Sequence, residues 1–124
     1  MQVPILKQGD YLIASVQAVL TDTDLLELRD RLTEQVGTYR ARAVIIDLTV
    51  LDVMDSFATR TLRALAQSLR LRGAATVIVG IQPDVAFAMT QLGLQLGSVA
   101  TALDLEEGLE LLRRQERRGG SHVR

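Results

Sequence analysis

Two short runs near the start of the chain, Val3 to Lys7 and Tyr11 to Val16, flank Gln8-Gly9-Asp10. A Gly-containing connection of that length predicts a β-hairpin. From Leu25 the pattern turns helical: Leu25, Leu28, Leu32 and Val36 share one face, while Glu27, Arg29, Asp30 and Glu34 take the other. Thr21-Asp22-Thr23-Asp24 ahead of it offers caps and carboxylates suited to a helix N-terminus, and Gly37 is placed as its stop. Ala43-Val44-Ile45-Ile46-Asp47-Leu48 is then apolar without alternation, the mark of a strand covered on both faces. After the connector Thr49 to Met54, helical spacing returns in Ala58, Leu62, Leu65 and Leu69 and ends near Gly73.

Ala74 to Val79 is a second continuous apolar strand, closed by Gly80. Gln82-Pro83-Asp84 opens a third helix with Pro at its first position and an acid beside it. Its buried side is expected to use Val85, Met89 and Leu92 before Gly93. A short strand from Gly97 to Thr101 follows. Asp104 with Glu107 then forms a capping-box-like start to a last helix burying Leu105, Leu109 and Leu112. Alternating units of this kind predict an α/β domain with a roughly five-stranded, mostly parallel sheet and about four helices. The domain is expected over residues 1–112. Residues 113–124, which include Arg113-Arg114-Gln115-Glu116-Arg117-Arg118 and Gly119-Gly120, read as a basic, frayed or disordered tail.

Composition narrows the class. The chain has 124 residues, enough for one domain, and is 48% hydrophobic but only 3% aromatic, so Leu, Val, Ile and Ala must build the core. The absence of Cys excludes a disulfide scaffold. With no signal-peptide pattern and no apolar run near the roughly 20 residues of a spanning helix, a cytoplasmic location is expected. Fourteen basic residues against fifteen acidic give a net charge of −1, which offers no bulk attraction to nucleic acid or membrane.

Asp55-Ser56 carries the candidate chemistry. It lies where a buried strand gives way to a helix, at the carboxyl edge of the sheet, where open α/β domains place their sites. Backbone N–H groups at a helix start are ready to meet a phosphate. The plainer reading is an N-cap contributing roughly 0.5–2 kcal/mol, and local sequence alone favours it; the context of the rest of the chain shifts the balance. Arg60 lies four residues beyond Ser56, on the same helical face. Asp47, at the end of its strand, is placed to steer the connector by hydrogen bonding.

The element order, with Asp-Ser after the central apolar strand, resembles the STAS domain of anti-sigma-factor antagonists. Pro4-Ile5-Leu6-Lys7, Val44 to Thr49, Asp55-Ser56-Phe57, Gly80-Ile81-Gln82-Pro83 and Ala102 to Glu110 together resemble the RsbS type, the small serine-bearing scaffold of the bacterial stressosome. The resemblance spans about residues 3–112, close to a whole domain. It implies a non-enzymatic binding protein in which Ser56 is phosphorylated by an RsbT-type serine kinase. The unmodified form would hold that kinase in a large assembly with RsbR-type co-antagonists, and an RsbX-type phosphatase would reset the site. Asp47, Asp55, Phe57 and Arg60 are the residues expected to support the site or meet the partner. Simpler single-domain antagonists carry Asp-Ser-Ser-Gly, whereas Phe57 and Ala58 follow Ser56 here. That departure favours the stressosome branch over direct capture of an anti-sigma kinase, which stays as the alternative.

Other functions find less support. A nucleophilic Ser56 needs a base, and the one His is His122, near the chain end. No Gly-x-Ser-x-Gly elbow is present. A phospho-aspartate receiver needs an acidic pair for Mg²⁺, but the first strands end in Lys7 and Val16. The scattered Gly73, Gly80, Gly93 and Gly97 form no phosphate cradle, which leaves a small nucleotide-binding module as a minor alternative. No cofactor or metal is implied.

Overall fold

The computed structural model describes residues 2–122. In chain order the elements are β1 (Ile5–Gln8), β2 (Tyr11–Ser15), α1 (Asp22–Tyr39), β3 (Ala43–Asp47), α2 (Ser56–Leu71), β4 (Ala75–Val79), α3 (Pro83–Gln91), β5 (Ala100–Ala102) and α4 (Leu105–His122). One five-stranded sheet has the order β1-β2-β3-β4-β5. The hairpin makes β1 antiparallel to β2, and every later neighbour is parallel. Gln8 pairs with Tyr11 across a two-residue turn in which Gly9 comes first at φ 60°, a conformation that favours glycine.

Strand order equal to chain order explains the layering. Right-handed crossovers that always step the same way return their helices to one face of the sheet. Accordingly α1, α2 and α3 share a core with Leu12, Ala14, Val44, Ile46 and Ile78. The opposite strand faces, Ile13, Ile45, Val77 and Val79, are covered by Leu105, Leu109 and Leu112 of α4. β3 reads as unbroken hydrophobic sequence because its two faces belong to these two cores. Gly108 permits the α4 contact, since a Cβ there would stand 2.8 Å from Val79 Cγ1.

The expected stripe Leu25, Leu28, Leu32 and Val36 is buried in α1, as are Ala58, Leu62, Leu65 and Leu69 in α2. Gly37 does not end α1. The helix continues to Tyr39 and is closed by Arg40 at φ 51°, with Ala41 N–H donating to Val36 O. A glycine inside a helix costs roughly 0.5–1 kcal/mol against alanine. A Cβ at Gly37 would meet only Arg72 Nη1, at 3.9 Å. Gly37→Ala is therefore expected to raise stability by roughly 0.5–1 kcal/mol in urea unfolding. A loss would mean that the exposed helix end tolerates no side chain there.

Leu92 also departs from expectation. It is 69% exposed because α3 stops at Gln91, Gly93 turns at φ 69°, and Leu94 N–H returns to Met89 O. The half-buried Leu94, rather than Leu92, then packs against the core. β5 starts at Ala100, later than the Gly97 expected from sequence.

α4 does not break at Leu112, where the tail was expected to begin, but runs on to His122. Val123 and Arg124 lie outside the described residues. The basic stretch is helical because its charges are neighbours at helical spacing: Glu110 is within 3.3 Å of Arg113, 3.4 Å of Arg114 and 3.6 Å of Arg117. Farther along, Glu116 accepts a 2.7 Å hydrogen bond from the Tyr11 hydroxyl. Arg42, 3.8 Å from Asp10, reaches to 4.0 Å from the same Glu116 carboxylate.

Burial, reinforced by the Glu116 hydrogen bond and charge, pushes Tyr11 from 10.0 up to about 12. The folded state thus holds the phenolic proton more tightly than the unfolded chain does. The associated stability is complete below the unfolded value of 10.0 and is lost as pH rises through about 12. Tyr11→Phe should remove this alkaline step from a plot of unfolding free energy against pH. An unchanged slope between those limits would show that Tyr11 does not hold α4 to the sheet.

Candidate functional site

The corner between β3 and α2 is fixed at several points before it reaches the serine. Asp47 accepts from Thr49 N–H at 2.9 Å and from the Thr49 hydroxyl at 2.5 Å, bending the chain as it leaves the sheet. Leu48 N–H extends the ladder to Val79 O, and Asp52 N–H reaches Ala18 O in the loop before α1. Leu51 and Met54 are buried and pin the connector from below. From the start of α3, Gln82 Nε2 donates to Thr49 O at 2.9 Å.

Asp55 is the N-cap of α2: its carboxylate accepts from Ala58 N–H at 2.8 Å. Its carbonyl takes both the Thr59 N–H, at 3.0 Å, and the Thr59 hydroxyl, at 2.9 Å. Thr59 is buried, so the clamp is anchored in the core side of the helix. Ser56 is consequently the first helical residue and not the cap. Its side chain is exposed, and among the described residues its hydroxyl has no hydrogen-bond partner. The N–H groups of Ser56 and Phe57 belong to the unpaired first turn of the helix and point along the positive end of its dipole.

The other expected residues fall into distinct places. Phe57 is half-buried and packs against the larger core, so its ring is shared between packing and surface. Arg60 is exposed, one turn along α2 from Ser56, and makes no ion pair among the described residues. Asp47 is committed to Thr49 and shapes the corner from behind. Val53, 72% exposed, and Val19, also 72% exposed, flank a small cleft whose wall includes Asp55 and Ala58. The corner therefore presents a bare hydroxyl at a helix start, next in the chain to Asp55 of that cleft.

Sequence gave no notice of Thr59 or Gln82 as supports, because a Thr within an apolar stripe and a Gln before Pro look like ordinary helix residues. Thr49, two residues after Asp47, was the readable signal: that spacing is what an Asx turn requires.

A family model for the STAS domain matches residues 2–108. In structure the chain is similar to a serine-to-glutamate variant of RsbS from Moorella thermoacetica. The TM-score is 0.81 at 34% identity, over 94% of this chain and 99% of that one. A chain from the stressosome, described as a signal integration and transduction hub, matches with a TM-score of 0.77 at 35% identity, over 92% of this chain and 99% of its own. In sequence, the RsbT co-antagonist protein RsbRA of Bacillus subtilis (strain 168) is 29% identical over 83 residues, 67% of this chain. This chain spans only 30% of the length of that relative. No helix among the described residues is long and apolar enough to cross a membrane. The matched model takes in the whole sheet, the Asp55-Ser56 corner and the start of α4: the chain belongs to the STAS domain family, and within it is similar to RsbS.

Proposed function

We propose that the protein is a phosphorylation-switched binding partner in a stressosome-type signalling assembly, holding an RsbT-type serine kinase until Ser56 is modified. One observation carries this reading. Asp55 caps α2, so Ser56 is left exposed with no structural bond to keep. A second support is the kinship with RsbS, one relative of which was studied with a serine exchanged for glutamate. Similarity to a co-antagonist of RsbT supports assembly with RsbR-type partners. In the proposed cycle an RsbX-type phosphatase resets the site.

The physics of the corner limits how such a switch works. A phosphoserine brings about −1.5 to −2 charges. At the start of α2 that charge meets free N–H groups and the positive end of the dipole, which favour it by roughly 0.3–1 kcal/mol. Arg60, one turn away, is a further pairing group. Phosphorylation therefore leaves α2 folded, and the signal is read at the surface. A partner that docks over this corner has to bury the phosphate with it. Drying a phosphate that the helix end and Arg60 only partly neutralise costs roughly 3–4 kcal/mol, about a hundredfold to a thousandfold in affinity. Release without refolding follows.

Incubation with an RsbT-type kinase and ATP, followed by mass mapping, tests the reading. A single phosphate on the peptide containing Ser56 supports it. Modification elsewhere, or none, overturns it.

A further inference from the structure

A second pocket, distinct from the Ser56 corner, lies between the later turns of α2 and the open edge of the sheet. It has a volume of about 310 Å³ and is lined by α2 (Arg63, Ala66, Gln67, Arg70), β4 (Thr76) and the approach to β5 (Ser98, Val99). It exists because β5 is short. The first β5 residue, Ala100, pairs with Val77, so Thr76 has no strand neighbour on that side.

Three features of this pocket point to a ligand. Thr76 is 8% exposed, and its hydroxyl is buried without a hydrogen-bond partner among the described residues. A buried hydroxyl left in this state costs about 1–3 kcal/mol, which a bound polar group would offset. The charge is one-sided, with two guanidiniums and no acidic residue on the lining among the described residues. Arg63 is also held in place: its Nη1 donates to Gln95 O at 2.7 Å, and Gly97, at φ 71°, lets the loop pass so close that a Cβ there would lie 3.0 Å from Arg63 Cδ. Its remaining N–H groups are thus presented by a side chain that has already lost its freedom. Arg70 in the last turn opposes the dipole at the end of α2. That role accounts for neither the orphaned Thr76 hydroxyl nor the clamped Arg63.

We propose that this pocket binds a small organic oxyanion, its charged group taken by Arg63, Arg70 and the Thr76 hydroxyl and its apolar body laid against Ala66 and Val99. A carboxylate and a phosphate ester share this chemistry, because both offer the paired acceptor oxygens that a guanidinium fork recognises. The proposal does not depend on the kinase reading, since none of these residues belongs to the Ser56 corner.

Calorimetric titration of the full chain with benzoate, phenyl phosphate, inorganic phosphate and uncharged benzyl alcohol tests it, with amide-resolved NMR to locate any response. At least one organic anion should bind saturably below about 10 mM, and the stronger of the two identifies the charged group. Inorganic phosphate and benzyl alcohol should each bind at least about tenfold more weakly than that anion. Shifts should concentrate at Thr76, Ser98 and Val99. Arg70→Gln and Thr76→Val should each weaken binding about tenfold or more. Thr76→Val should leave the free protein as stable as wild type or more so, because it removes an unsatisfied hydroxyl without changing shape. Absence of saturable binding by either organic anion overturns the proposal. So does parity of inorganic phosphate or benzyl alcohol with the better anion, or undiminished affinity in both variants.

Discussion

Ser56→Asp is expected to lower affinity for an RsbT-type kinase by about a hundredfold, while the protein melts at essentially the wild-type temperature. The two halves of this expectation have separate causes. Stability is preserved because Asp55 supplies the cap, its carboxylate 2.8 Å from Ala58 N, and because an acid at the first helical position suits the dipole. Affinity falls because the carboxylate enters a surface that a partner must dry. One carboxylate is an imperfect substitute for a phosphate dianion, so the full phosphoprotein should lose more. Ser56→Ala should change stability by no more than about 0.5 kcal/mol, as an exposed substitution. It should bind the kinase normally and stay bound after ATP is added. Asp55→Ala, by contrast, should cost about 1 kcal/mol through the lost cap. Kinase affinity and melting temperature measured together on all four proteins separate these effects. Equal affinities for wild type, Ser56→Ala and Ser56→Asp would sink the switch.

The core stripes of α1 and α2 were legible because burial there follows a simple 3.6-residue period over about three turns. The two continuous apolar strands were legible for a related reason, since a strand between two helical layers has no polar side to show. Endings were harder. Gly37 looks like a stop, yet Val36 and Leu32 fix the helix in its groove and hold the following turn in place, so tertiary packing overrides local preference. The basic stretch after Leu112 looks frayed because it lacks apolar residues. Its order comes instead from Glu110 and from a contact between Glu116 and Tyr11, 105 positions apart, which no local pattern contains. At the site, sequence identified the Asp-Ser corner but left the cap undecided between its two members. The choice depends on where the connector delivers the chain, and that is set by Asp47, Thr49, Leu51 and Met54. The pocket beside Thr76 was unreadable for a different reason: it depends on β5 starting only at Ala100.

Gly80→Ala should be among the most damaging small substitutions outside the core centre, costing about 3 kcal/mol. Two terms add. Gly80 sits at φ 77°, where a Cβ costs about 1–2 kcal/mol. That Cβ would also collide with the Thr49 hydroxyl and lie 3.1 Å from Thr49 Cα, and forcing atoms into a packed site typically costs about 1–3 kcal/mol. Thr49 has little freedom to yield, since Asp47 holds its N–H and its hydroxyl and Gln82 holds its carbonyl. Gly9→Ala provides the control: its φ is 60°, but no atom lies within 4 Å of the added carbon, so it bears the backbone cost alone. The difference between the two variants in urea unfolding measures the Thr49 contact. The displacement should also reach the serine, because the strand end, Thr49 and the Asp55 cap form one continuous chain of constraints. Gly80→Ala is therefore expected to slow phosphorylation of Ser56 under conditions where it remains folded, whereas Gly9→Ala leaves it unchanged. Equal stability losses in the two glycine variants, with equal phosphorylation rates, would show that Thr49 moves freely and that the corner is not braced from the α3 side.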